Sequence, residues 1–368
     1  MITFSKFKDD CLKVISGWYQ SADSITSFIG TVIFKLIWLL YFFTHLYRPS
    51  DAAKVAKELV DSKRADDLNK IKNDILNWYT FHQFQPWEFA AYRFEEKSKE
   101  ERLEFYSDLD RLRFASVVNV LSDCLKLDDK SSAYTIYKDA FRRDMISIKS
   151  EDDFSTFERF CENESAFFAK PLGGSYGVNS GLLKIESDTD LKKVFDDLLK
   201  IGSYVLEEPI KQCPEMASFN PDSVNTVRLA TLLTGDKVDI LFSYVRCGRK
   251  GITVDNSGSG GYLAAVDPKT GQVITDGCAK DGSFVQIHPD TGVAFKGFAV
   301  PRYEEAIALV TDLAKRLPSV RYVGWDLAVT NEAVVLVEAN SFAMMSGSQF
   351  STGIGKAKYY ESFLHRKE

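Results

Sequence analysis

Apolar positions fall into three textures along the chain. From Ile25 to Tyr47 the sequence ITSFIGTVIFKLIWLLYFFTHLY is almost continuously apolar. Lys35 falls mid-run, and the uninterrupted apolar stretch after it is short for a bilayer span. At helical spacing Ser27, Thr31, Lys35 and Trp38 form a weakly polar stripe opposed by Phe28, Ile29, Val32, Ile33, Leu36, Ile37 and Leu40. Such a helix either lies in a membrane interface with Lys35 reaching outward, or is buried against the rest of the protein. The basic n-region and small-residue cleavage site of a signal peptide are missing.

From about Ser50 to Leu127 the pattern is helical, with charged outer faces and almost no Gly or Pro; Ser98, three residues before Glu101, reads as a capping box. Trp78, Tyr79, His82, Trp87 and Tyr92 fit an aromatic helix core or, alternatively, rings that stack on a sugar. After about Asp128, strand-like runs (AFFAKP, YVLEEPI, TVRLATLL, VDILFSYVR, AVVLVEAN) alternate with glycine-rich turns and helical stretches such as SEDDFSTFERFCEN and PRYEEAIALVTDLAKRL. The texture predicts an α+β body, without internal repeats, behind a helical N-terminal region.

At 368 residues the chain is long enough for two or three packed units. Its 45% apolar and 27% charged residues are a globular balance, and the net charge of −6 advertises no basic face for nucleic acid. Six cysteines (Cys11, Cys124, Cys161, Cys213, Cys247, Cys278) are scattered singly and read as reduced, buried residues of a cytosolic chain.

The candidate chemistry lies in the second half. Lys170 ends a strand-like run and precedes Gly173-Gly174-Ser175-Tyr176-Gly177, a loop whose N–H groups can cradle phosphate or simply turn a hairpin. It is not a P-loop. Asp326 lies in VGWDLAV; Glu338 and Asn340 lie in VLVEAN. Two strands joined by the turn Thr330-Asn331-Glu332 would set these three oxygen donors together, a set suited to magnesium. Both carboxylates sit inside apolar runs, where an unpaired charge is costly. Glu207, Glu208, Arg228 and Arg246 also interrupt apolar runs. Each arginine either pairs with a carboxylate across the sheet or forms a cationic wall for a transferring phosphoryl group.

In this order the residues resemble the ATP-grasp superfamily: Asp129-Lys130, Lys170 with GGSYG, Glu208, Glu215, Asp326, then Glu338-Ala-Asn340. The stretches NPDSVNTVRLATL and VDNSGSGGYLAAVD look like its sugar-transfer-associated branch, linked to surface-polysaccharide synthesis. The resemblance covers roughly residues 128–350. It implies an ATP-grasp fold with subdomains at 128–206 and 207–368 behind the helical region 1–127. It also implies ATP held by Lys130, Lys170, the loop Gly173 to Gly177, the segment Glu207-Glu208-Pro209-Ile210 and Glu215, with two magnesium ions on Asp326, Glu338 and Asn340. Arg228 and Arg246 would stabilise the transferring phosphoryl group, and Asn256 would hold the acceptor. Two departures stand out: Ser341-Phe-Ala-Met-Met follows Glu338-Ala-Asn340 instead of a Ser/Pro/Gly turn, and helices 1–127 replace the usual N-terminal α/β domain.

Three activities fit this reading. The first is an ADP-forming carboxylate–amine or carboxylate–thiol ligase working through an acyl phosphate, on a small carboxylate and an amine or sugar-linked acceptor. The second is a kinase for a sugar or other hydroxyl acceptor. The third is a non-catalytic nucleotide-binding subunit of a membrane glycan complex. The expected location is cytoplasmic, with peripheral contact to the inner face of the membrane through 25–47.

Overall fold

The β-rich runs TVRLATLLT and KVDILFSYVRC are separated by Gly235 and Asp236, with Gly235 at φ +55°, and fold as a long antiparallel hairpin. It forms the centre of a computed structural model that describes residues 49–163, 165–172, 180–255 and 257–364. The segment 25–47, the loop Gly173 to Gly177 and Asn256 lie outside the described residues. No helix among the described residues is long and apolar enough to cross a membrane.

In chain order the first helices are α1 (Pro49–Asp61), α2 (Leu68–His82), α3 (Pro86–Ala91), α4 (Lys99–Arg102), α5 (Asp108–Val118), α6 (Leu121–Asp128) and α7 (Lys130–Phe141). Local chemistry sets their starts. Asp67 accepts from the N–H groups of Asn69 and Lys70 ahead of α2, and the expected box of Ser98 and Glu101 opens α4. Trp78, Phe84, Phe94 and Phe105 are buried and pack ring on ring, for example Trp78 on Phe94 at 5.3 Å. Tyr92 is buried among them, and His82 stacks on Trp78 at 4.2 Å, so these rings form an aromatic core.

A small antiparallel sheet follows, from β1 (Met145–Ile148), β2 (Ala166–Pro171), β3 (Gly181–Lys184) and β4 (Tyr204–Glu207), in the order β1-β4-β2-β3. The helices α8 (Phe154–Asn163) and α9 (Leu191–Ile201) cover one face, burying Ile148, Phe167, Ala169 and Leu206. By alternation Met145, Phe168, Lys170, Val205 and Glu207 point to the other face.

After the short α10 (Pro214–Ala217) comes a seven-stranded sheet: β5 (Thr226–Thr234), β6 (Lys237–Cys247), β7 (Tyr262–Ala265), β8 (Gly277–Cys278), β9 (Phe284–Val285), β10 (Tyr322–Val329) and β11 (Val334–Asn340). The order is β11-β10-β5-β6-β7-β8-β9, with α11 (Tyr303–Arg316) inserted before β10. Val227, Leu229, Val245, Val323, Trp325 and Leu327 point to the face packed by α7 and α11; Tyr137 meets Trp325 edge-on at 5.5 Å. The opposite face, with Leu232, Phe242, Tyr244 and Tyr322, is covered by the N-terminal helices and by α12 (Ser346–Phe350) and α13 (Ala357–Leu364). Buried Asn119 fastens this cover. Its Nδ2 donates to the carbonyls of Tyr322 (3.0 Å) and Ser341 (2.9 Å), and its Oδ1 accepts from the Tyr322 N–H (2.7 Å).

Candidate active site

Two charged clusters meet at β11. The open face of the small sheet looks onto this edge strand across a cleft that opens to solvent. Its walls bring together Lys130 from α7, Lys170 from β2, Glu207 from β4 and Glu338 from β11, with Leu127, Met145 and Val205 among the apolar lining. Lys170 pairs with Glu207, which also accepts from Arg143 Nε at 2.8 Å. Burial alone would push the Glu207 carboxyl up; Lys170 and Arg143 outweigh it and hold it below its ordinary value. Arg143 also donates to the Leu336 carbonyl at 2.6 Å, tying the small sheet to β11. Across the cleft, Lys130 Nζ lies 3.8 Å from Glu338 Oε1.

The second cluster is buried on the large sheet. Asp326 on β10 stands opposite Arg228 on β5, and the guanidinium grips it through Nε and through Nη2 at 2.5 Å. Arg246 from β6 reaches the same carboxylate at 3.1 Å and Asp255 at 3.4 Å. Asp255 in turn accepts from the N–H (3.0 Å) and hydroxyl of Thr226. Burial would raise the Asp326 carboxyl, but Arg228 and Arg246 hold it below its usual range; for Asp255 burial wins and the carboxyl is raised. So both readings of Arg228 and Arg246 meet in one place: each pairs with a carboxylate, and together they form a cationic wall.

One backbone irregularity joins the clusters. Near the β10–β11 turn, Leu327 pairs with Leu336; one step on, Asp326 pairs with Glu338, so Val337 is an extra residue. In unbroken register Asp326 would face Val337, and Glu338 and Asn340 would point to the Trp325 side. The bulge turns them onto the face of Asp326, where Asn340 Nδ2 lies 3.4 Å from Asp326 Oδ2.

Hard oxygen donors suit magnesium. Glu338 is half-exposed at the cleft and Asn340 adjoins it, whereas both Asp326 oxygens are engaged by guanidiniums. Among the described residues no three His, Cys, Asp or Glu side chains group into a ready metal cage. The residues present therefore fit the ion as Glu338 with Asn340, completed by water and phosphate oxygens.

Other expected positions lie elsewhere. Glu208 turns its carboxylate to the Asp144 N–H (2.8 Å) and its own N–H to the Asp144 carbonyl (3.1 Å). Glu215 is exposed in the first turn of α10, and neither it nor Glu208, Pro209 and Ile210 lines the cleft. Sequence reading missed Arg143 and Thr226. Arg143 sits in FRRDM, where no periodicity singles it out; Thr226 opens a strand, where a hydroxyl is unremarkable.

Residues 196–362 match the family model described as sugar-transfer associated ATP-grasp. Similar solved structures include a D-alanyl-alanine synthetase A from Vibrio cholerae O1 biovar eltor (10% identity, TM-score 0.42, 68% of this chain and 65% of that one). An N5-carboxyaminoimidazole ribonucleotide synthetase shares 12% identity at TM-score 0.40, over 62% of this chain and 50% of that one. A D-alanine–D-alanine ligase from Bacillus anthracis shares 13% at TM-score 0.38, over 68% of each chain. The chain thus spans less than two thirds of the first two, and likenesses at these scores carry no weight for the reaction. No curated protein matches the chain. The resemblance read from the order of charged residues is met over residues 196–362, the stretch that matches the sugar-transfer associated ATP-grasp model.

Proposed function

We propose that the protein is an ATP- and magnesium-dependent ligase that activates a carboxylate as an acyl phosphate and passes the acyl group to an amine or thiol, in surface-polysaccharide or related biosynthesis. The observation that carries this reading is the cleft in which Lys130, Lys170, Glu207 and Glu338 converge from one helix and three strands of two sheets, beside the arginine pair. A lysine from each wall suits the α- and β-phosphates, and the apolar residues Met145 and Val205 suit a base. Magnesium held by Glu338 and Asn340 would neutralise phosphate charge during transfer.

The reaction balances as follows. A substrate carboxylate oxygen attacks the γ-phosphorus, the bond to the β–γ bridging oxygen breaks, and ADP leaves. The amine or thiol then attacks the acyl carbon, phosphate departs, and the nucleophile gives up its proton. Arg228 and Arg246 would supply the cations that charge on the transferring group needs, and Asp255 with Thr226 orients Arg246. Product analysis tests the proposal. A ligase releases ADP and phosphate only when carboxylate and nucleophile are both present; phosphate found on a hydroxyl acceptor makes the protein a kinase instead.

A further inference from the structure

Two hydrogen-bond donors beside the arginine pair have no acceptor. Tyr244 on β6 stands directly opposite Arg228 on β5, and Arg246 follows two residues on, so the three share a face. Arg246 commits Nε to the Thr226 hydroxyl (2.9 Å) and Nη2 to Asp326 (3.1 Å), which leaves Nη1 without an acceptor among the described residues. The Tyr244 side chain is 4% exposed and stacks on Phe242 at 5.8 Å, yet its hydroxyl donates to no described residue. Burial raises the phenol above its ordinary value, so it stays protonated and remains a donor. A buried donor left unpaired is costly, and two of them side by side suit one anion with two oxygens.

What lies over the phenol is a glycine. A Cβ on Gly347 would stand 3.0 Å from Tyr244 Cε1 and 3.2 Å from its hydroxyl, so a side chain there would press on the ring edge. The residues after Gly347 are firmly anchored. Ser348 hydrogen-bonds to the Tyr360 hydroxyl at 2.6 Å. Buried Gln349 uses its whole amide: Oε1 accepts from the N–H groups of Tyr106 (2.8 Å) and Lys356 (3.1 Å), and Nε2 donates to the Tyr106 carbonyl (2.9 Å) and the Tyr92 hydroxyl (3.2 Å). The helical region thereby fixes the backbone that faces Tyr244.

Resting on the functional reading above, we propose that the Tyr244 hydroxyl and Arg246 Nη1 together hold the carboxylate of the acid substrate, with Gly347 keeping the space beside the phenol free of a side chain. An acid seated there lies next to the arginines assigned to the transferring phosphoryl group, where an attacking oxygen belongs. A hydroxyl acceptor offers one oxygen and no charge, so the two donors favour an acid over an alcohol.

The test uses the full chain with ATP, Mg2+ and a panel of α-amino acids, uronic acids and short aliphatic acids. Hydroxylamine serves as the nucleophile: it attacks the acyl carbon, phosphate leaves, the nitrogen gives up a proton, and the hydroxamate is read by its ferric colour. For an acid that the wild type activates, Tyr244→Phe should raise the KM of the acid about tenfold, the worth of one hydrogen bond to a charged group, and leave the KM of ATP within about twofold. Gly347→Ala should raise the KM of the acid in the same selective way. An unchanged acid KM in Tyr244→Phe would overturn the subsite, as would a rise shared equally by acid and ATP, which a merely structural role would give. If Gly347→Ala fails to fold, Tyr244→Phe, which removes a single oxygen, still decides. A wild type that binds nucleotide and activates no acid in the panel overturns the ligase reading and the subsite with it, a result distinct from failure of the variant alone.

Discussion

Asp326 and Glu338 face one another across two strands, yet their surroundings give them different work. Asp326 is buried and bound to two arginines; Glu338 is half-exposed at the mouth of the cleft. Removing the charge from Asp326 strands two buried guanidiniums, so Asp326→Asn should abolish turnover and also cost about 3 kcal/mol or more in denaturant unfolding. Glu338→Gln should abolish turnover with under about 1 kcal/mol lost, as for an exposed pair. Equal stability losses in the two variants would contradict this division. A second residue-scale prediction concerns Lys356, whose ammonium burial pushes down to about 8. The folded value lies below the ordinary value near 10.4. Stability held above that value is therefore lost as pH falls through about 8. Lys356→Met should flatten the unfolding free energy between pH 10 and pH 8 and raise it by about 1–2 kcal/mol at pH 7. An unchanged pH slope would show that the amine is solvated.

At the scale of elements, the site depends on how strands β5, β10 and β11 are registered. The five β-rich runs read from the sequence all contribute strands, because alternation and β-branched residues are local signals. The meeting of Asp326, Glu338 and Asn340 was also expected. The extra residue Val337 that makes it happen was not legible, since a bulge depends on pairing between strands and not on either strand alone. Nor was Gly324. A Cβ there would stand 2.3 Å from Ala343 Cβ and 3.4 Å from Arg228 Cδ, so this glycine lets the chain after Asn340 cross β10 closely beside the arginine. Gly324→Ala should cost about 1–3 kcal/mol in thermal or denaturant unfolding and weaken nucleotide binding by moving Arg228. Wild-type stability and affinity in that variant would show that Ala343 yields freely.

For the whole molecule, the helical region is the cover of one sheet face and not an appended module. Phe114 meets Tyr322 edge-on at 5.4 Å, and Asn119 hydrogen-bonds to the backbone of β10 and to Ser341. Its helices were legible from their periodicity. Their seat on the charged-cluster face was not, because periodicity tells which side of a helix is apolar and not what it covers. A chain beginning at residue 119 should expose Leu232, Phe242, Tyr244 and Tyr322 and aggregate on refolding; a soluble monomer with an intact melting transition would contradict that. On the function proposed above, the cleft between the small sheet and β11 takes a nucleotide with its metal. The most direct measurement is calorimetric titration of a non-hydrolysable ATP analogue with Mg2+ into the full chain and into Lys170→Met. One saturable site is expected in the wild type, with at least about tenfold weaker binding in the variant, the value of one lost charge-assisted contact. A folded wild type that gives no binding heat, or a Lys170→Met protein that binds as the wild type does, would contradict it.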